Sequence, residues 1–188
     1  MAVEILVGIV IIIAVAIVLL SKSSSVSNKK YVSQKSNVDH QTYYVLDFPD
    51  KQAAADTLAM ICKDLTKFIS HLQMTHPNHY GVKLLGERFS SGNVKEGFYD
   101  SGETTYTEVK KYISLCMRDG AGSLHPANVL MFVMLHELAH MMNAKHDNSH
   151  DATFKHDFDF LKTQASEFGI YVNLATPVSY CQISITHS

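Results

Sequence analysis

Apolar positions along the chain begin with an unbroken run. From Ile5 to Leu20 every residue is apolar or Gly, and Ala2 and Val3 extend the run past Glu4. A helix rising 1.5 Å per residue approaches bilayer thickness over such a length, and in lipid only a helix satisfies its backbone. A cleaved signal would carry a basic residue ahead of a shorter apolar stretch, whereas Glu4 stands there. The pattern predicts a single N-terminal transmembrane helix over residues 1–21. Lys22, Lys29 and Lys30 follow it closely, which places the rest of the chain on the cytoplasmic side. Residues 22–41 are rich in Ser, Lys and Asn without hydrophobic periodicity. They read as a flexible tether.

Beyond the tether the period changes. Tyr43 to Phe48 is a short strand candidate closed by Pro49-Asp50, with Asp50 as N-cap of the next element. Leu58, Ile61, Cys62, Leu65, Phe68, Ile69 and Leu72 recur at helical spacing within residues 51–76. Pro77-Asn78 ends that helix. Val82 to Phe89 fits either period, and four glycines between Gly86 and Gly102 predict a loop. Thr104–Val109 and Tyr112–Arg118 are β-rich, the second alternating, and predict a hairpin or a bent edge strand, followed by an Asp119-to-Gly122 turn. A helix apolar over most of its surface runs from about Pro126 to Asn143, and its composition makes it central and buried. Phe154, Phe158, Leu161, Ala165 and Phe168 stripe a further helix, capped by Gly169. Val178 to Ile185 is a last strand. The predicted class is α+β, with one domain over residues 42–188.

Composition narrows this little. The formal net charge of −2 carries no basic stripe, so there is no strong nucleic-acid signature. Three distant cysteines, Cys62, Cys116 and Cys181, form no CxxC pair and predict buried, reduced thiols. The 11 histidines are uneven, with five between His136 and His156. His71, His76 and His79 fall at a helix end and a turn, and His156 is read as a surface residue.

His136-Glu137-Leu138-Ala139-His140 carries the candidate chemistry. Residues four apart share one face of a helix, so both imidazoles can grip one ion. Glu137, beside the first ligand, is the candidate general base for a water whose pKa the metal lowers to about 7. The bland alternative is a solvated His/Glu/His face. Against it, three polar groups on so apolar a helix are costly to bury without a ligand. The third metal ligand stays open on spacing. His146 has the spacing of the long metzincin motif but follows Asn143 where that motif has Gly, and the turn favours a residue tolerant of φ > 0. His150 sits just ahead of the next helix, and Glu167 is a more remote carboxylate.

LMFVMLHELAHMM followed by HDATF resembles the WLM and SprT-like zincin peptidases. Cys116-Met117-Arg118-Asp119, Gly169-Ile170-Tyr171 and Tyr180-Cys181 extend the resemblance to zincin-like proteins of large DNA viruses and protists. The resemblance implies a zincin-like fold, with an HExxH active-site helix beneath a small sheet whose edge strand, within Thr104–Arg118, takes an extended peptide. It also implies that the third ligand is His150, the His four residues before Phe154. The gap from His140 is longer than the family's usual turn, which keeps His146 in play. Together these features predict a membrane-anchored zinc metallopeptidase. Zn2+ would sit on His136, His140 and His150, with Glu137 catalytic and a protein or peptide as substrate. The alternative is a catalytically silent zinc-binding interaction module tethered to a membrane. Oligomeric state is left open.

Overall fold

The structure is a computed structural model. It describes residues 30–99, 106–108, 111–143, 149–175 and 177–186. Among the described residues no helix is long and apolar enough to cross a membrane. The anchor expected over residues 1–21 lies outside them.

The described fold mixes helix and strand. Strand β1 (Tyr31–Lys35) pairs antiparallel with β2 (Thr42–Leu46), with Tyr31 opposite Leu46 and Lys35 opposite Thr42. β1 therefore lies inside the stretch read as a tether. Its ladder comes from β2, and helix α1 (Lys51–Thr75) fixes the connecting turn. There Asp56 accepts from the Ser36 hydroxyl at 2.8 Å and from the Asn37 backbone N–H at 2.7 Å. Neither partner is visible in a search for hydrophobic period.

α1 buries the stripe its period predicts, from Leu58 through Phe68 to Leu72. Cys62 is in that stripe, and burial pushes its thiol up to about 12, so it is inert. Asp50 does precede α1, but its side chain makes no capping hydrogen bond. The carboxylate turns instead to Arg118, at 2.7 Å. The undecided stretch at 82–89 is helical, as α2 (Tyr80–Arg88). The His79 ring caps it, accepting from the Val82 N–H through Nδ1.

β3 (Val94–Gly97) runs parallel to β5 (Tyr112–Cys116), and β4 (Tyr106–Glu108) pairs antiparallel with β5 on its other side. The order is β3-β5-β4. β6 (Val178–Tyr180) and β7 (Ile183–Ile185) form a separate hairpin where one strand was expected. The described strands thus divide into three small sheets rather than the single sheet predicted to lie over the motif helix.

Helix α3 (Ala127–Met142) carries the HELAH segment and is buried along most of its length, including Leu130, Met134, Leu135, Leu138 and Met141. α4 (Ala152–Phe168) packs beside it through Phe154, Phe158, Leu161 and Ala165. Gly169 closes α4 at φ 85°, where Gly pays no Cβ penalty. The Ile170 N–H returns to the Ala165 carbonyl at 3.0 Å.

Candidate metal centre

Two histidines of one helix and a third from the segment ahead of the next meet at one point. His136 and His140 stand one turn apart on α3, with ring centroids 5.0 Å apart. His150 lies just ahead of α4, and its ring is 5.0 Å from each of the other two. The local chain explains this placement. Asp151 caps α4, its carboxylate accepting from the Phe154 N–H at 3.0 Å, which fixes the entry direction of the chain. His150 is the residue before that cap.

Phe154 forms the apolar floor, with its ring 4.8, 4.4 and 4.6 Å from those of His136, His140 and His150. The triad is graded in exposure. His140 is buried, His136 half-buried and His150 exposed. Burial, and then the charges that His140 and His150 would carry, push His136 down to about 3. It is therefore neutral near pH 7, the form that binds metal.

The three side chains could hold a metal ion. Candidate ligand atoms from the three residues all lie within 4.8 Å of one another. His136 Nε2 and His150 Nε2 are 3.1 Å apart. Two nitrogens at 2.0–2.1 Å from one tetrahedral zinc are separated by about 3.3 Å. Among the described residues this is the only group of at least three His, Cys, Asp or Glu side chains that could hold an ion.

His146 lies outside the described residues. Asn143 has φ −81°, so the positive-φ turn considered at that position is not adopted. Glu167 is near the far end of α4 and is not in the group, and His156 is exposed on α4. Glu137 is 4% exposed and lines, with His136, a cavity of about 280 Å³.

Several residues around the site had no motif to announce them. Arg88 donates from Nη1 to the carbonyls of Met141, at 2.5 Å, and Asn143, at 2.8 Å. It thereby caps the end of the helix that carries the motif, since the last carbonyls of a helix have no internal partner. Basic charge in the last turn of α2 was the only available signal. Cys116 and Cys181 are joined as a disulfide, correcting the expectation of reduced thiols, and Cys62 alone is free. Their separation of 65 residues hid a Cα–Cα distance of 6.5 Å, which lies in the range a disulfide spans.

The chain is similar to proteins of large DNA viruses. It is 31% identical over 195 residues to uncharacterized protein R325 of Acanthamoeba polyphaga mimivirus, covering 98% of this chain and 97% of that one. It is 29% identical to minor capsid protein P4 of Paramecium bursaria Chlorella virus 1, over 66% of this chain and 73% of the relative. Uncharacterized protein 136R of Invertebrate iridescent virus 6 is 32% identical over 52% of this chain and 54% of its own length. No solved structure matches. Residues 37–184 match the family described as Phycodnaviridae minor capsid protein P4, and the chain belongs to that family.

This membership overturns the peptidase reading. The family is one of viral minor capsid proteins, not of WLM or SprT-like zincins, and no match supports a zincin-like fold. A zinc metallopeptidase with Glu137 as general base and a peptide substrate is withdrawn, and so is the membrane-tethered binding module. The single-pass membrane location, with a catalytic domain on the cytoplasmic side, finds no support in a family described by a minor capsid protein. The physical reason lies in what the motif encodes. Two His at a spacing of four and a neighbouring Glu specify ligand positions on a buried helix. They do not specify a substrate cleft or a reaction.

Proposed function

We propose that this chain is a structural component of a viral capsid, with a zinc ion bound by His136, His140 and His150. The capsid role is supported by the family match over residues 37–184 and by the likeness to minor capsid protein P4. Its partners are then other capsid components. The zinc reading is carried by one observation, the convergence on one point of two imidazoles from α3 and a third from the segment just ahead of α4. When bound, the metal crosslinks α3 to the start of α4, and binding free energy becomes folding free energy. Glu137 keeps a place beside the centre as a buried carboxylate that offsets the ion's charge, without a role in hydrolysis.

Two measurements test the proposal. Mass spectrometry of purified virions should find the chain at a fixed ratio to the other capsid proteins, resistant to washing. Its loss on washing would remove the capsid role. Elemental analysis of the purified full chain should give about one zinc per chain. A chain that takes up no zinc would remove the metal role while leaving the capsid role intact.

A further inference from the structure

We infer that the β6–β7 hairpin is a redox-held cover over the His136 and Glu137 side of the metal centre, which opens when the Cys116–Cys181 bond is cleaved. The inference rests on reading the histidine triad as a zinc site.

The hairpin rests on the core through Tyr180 and Ile185, both buried, and has no third strand beside it among the described residues. Among the described strands, β6 and β7 pair only with each other, and an isolated two-stranded hairpin is marginal in water. Its turn is also unfavourable. Tyr180 pairs with Ile183, and between them Cys181 and Gln182 have φ of 38° and 65°. Positive φ at both central positions is the geometry that Asn-Gly adopts readily, whereas Cys-Gln has a Cβ at each position. The fastening lies at the tip of this turn. Cys181 is bonded to Cys116 at the end of β5, and Gln182 Nε2 donates to the Tyr99 carbonyl at 2.6 Å. A covalent bond at the strained turn explains how that turn persists.

What the hairpin covers gives the bond its consequence. Ile183, Ile185 and Thr186 line the cavity of about 280 Å³ together with Val133, His136 and Glu137. Freeing the tip frees residues that share this cavity with a proposed zinc ligand.

The chemistry balances with a dithiol reductant as electron source. Cys181 is 2% exposed, so a reductant reaches the bond as the hairpin frays. One reductant thiolate attacks Cys116 Sγ, the S–S bond breaks, and Cys181 leaves as a thiolate with the electron pair. His125 Nε2, 3.3 Å from Cys181 Sγ, stands where a proton can be relayed to it. The second reductant thiol then attacks its own sulfur in the mixed disulfide and releases Cys116. Two electrons and two protons pass to the cysteines, and the reductant departs as a disulfide.

The test uses the full chain loaded with zinc alone. Release to a chromophoric chelator is followed for the oxidised parent, the parent reduced with a dithiol, and the Cys116→Ser/Cys181→Ser variant. Amide hydrogen exchange over residues 178–185 is measured in parallel. Release should be at least tenfold faster in the reduced parent and the variant, with faster exchange in the hairpin. If the double variant does not fold, chemical reduction of the parent gives the same comparison. Zinc released at rates within twofold in both redox states, or hairpin exchange unchanged by reduction, overturns the cover alone. A chain that binds no zinc in either state overturns the metal centre and the cover's role with it.

Discussion

The cluster around Arg118 and the triad around His136 both set polar groups among apolar ones, and they are balanced differently. Arg118 is 3% exposed and answered from within the chain. Its Nε meets Glu96 at 2.7 Å, its Nη1 meets Asp50 at 2.7 Å, and its guanidinium lies 4.0 Å from the centre of the Phe48 ring. Glu96 is fully buried and also accepts from the Leu46 N–H at 2.8 Å. That cluster joins the β1–β2 pair, the start of α1 and the central sheet, with charge of both signs. The triad is three imidazoles gathered at one point, with no carboxylate or cation among the three. A cluster that balances itself holds a fold together, and one that gathers like donors is arranged for a cation from outside. Charge balance thus separates the Arg118 cluster from the triad proposed to bind zinc.

The sharpest way to break the comparison is Arg118→Met. It leaves Glu96 buried without its cation, and removing one partner of a buried pair costs about 3–5 kcal/mol. Chemical denaturation should show that loss. Pairing it with Glu96→Leu should restore most of the stability, because no uncompensated charge then stays inside. If the single substitution costs under about 1 kcal/mol, well short of the range for a broken buried pair, the cluster is not the fastening described.

His140→Ala should act on the other cluster in the opposite sense. Removing a ligand should lower zinc affinity by more than the roughly 10–100-fold that loss of an outer-shell partner costs. The metal-free variant should stay folded by circular dichroism, since no buried charge is stranded. Equal zinc affinity in variant and parent, measured by competition with a chelator, would assign the ion to other residues.

The two clusters also differ in how far they could be read in advance. His136 and His140 are four apart, so helical period alone brings them together. The stripe of α1 and the cap at Gly169 are legible for the same reason, because each is set by residues within a few turns. Arg118 meets partners 22 and 68 residues away, and Cys116 meets Cys181 across 65. No local period records such distances. β1 was missed because the Asp56 contacts that fix its turn come from another element. The peptidase reading failed at a different level. The motif places two imidazoles and a carboxylate on one helix, and the hydrolytic reaction read from it and from the zincin resemblance is not supported by the family match.

Arg88→Met probes how α3 is held in place for the triad. Two carbonyls at the helix end lose a cationic donor, and a hydrogen bond to a charged group is worth about 1.5–3 kcal/mol. The expected result is a stability loss of about 2 kcal/mol with fraying of residues 139–142 in hydrogen exchange. Unchanged protection there would show that the apolar face of α3 holds its end unaided.

The smallest expected effect separates the two ends of the triad. Asp151→Ala removes the α4 cap, which costs about 1 kcal/mol of stability. The cap also sets the direction from which His150 approaches His136. Zinc affinity should therefore fall several-fold in Asp151→Ala. It should be unaltered in His156→Ala, whose side chain is exposed on α4 outside the group. His150 is the exposed member of the triad and the one supplied by the start of a different helix. The ligand whose position depends most on its cap is then the one whose geometry sets the grip on the ion. If Asp151→Ala loses stability but not affinity, α4 needs its cap for folding alone, and His150 is positioned by the Phe154 floor instead.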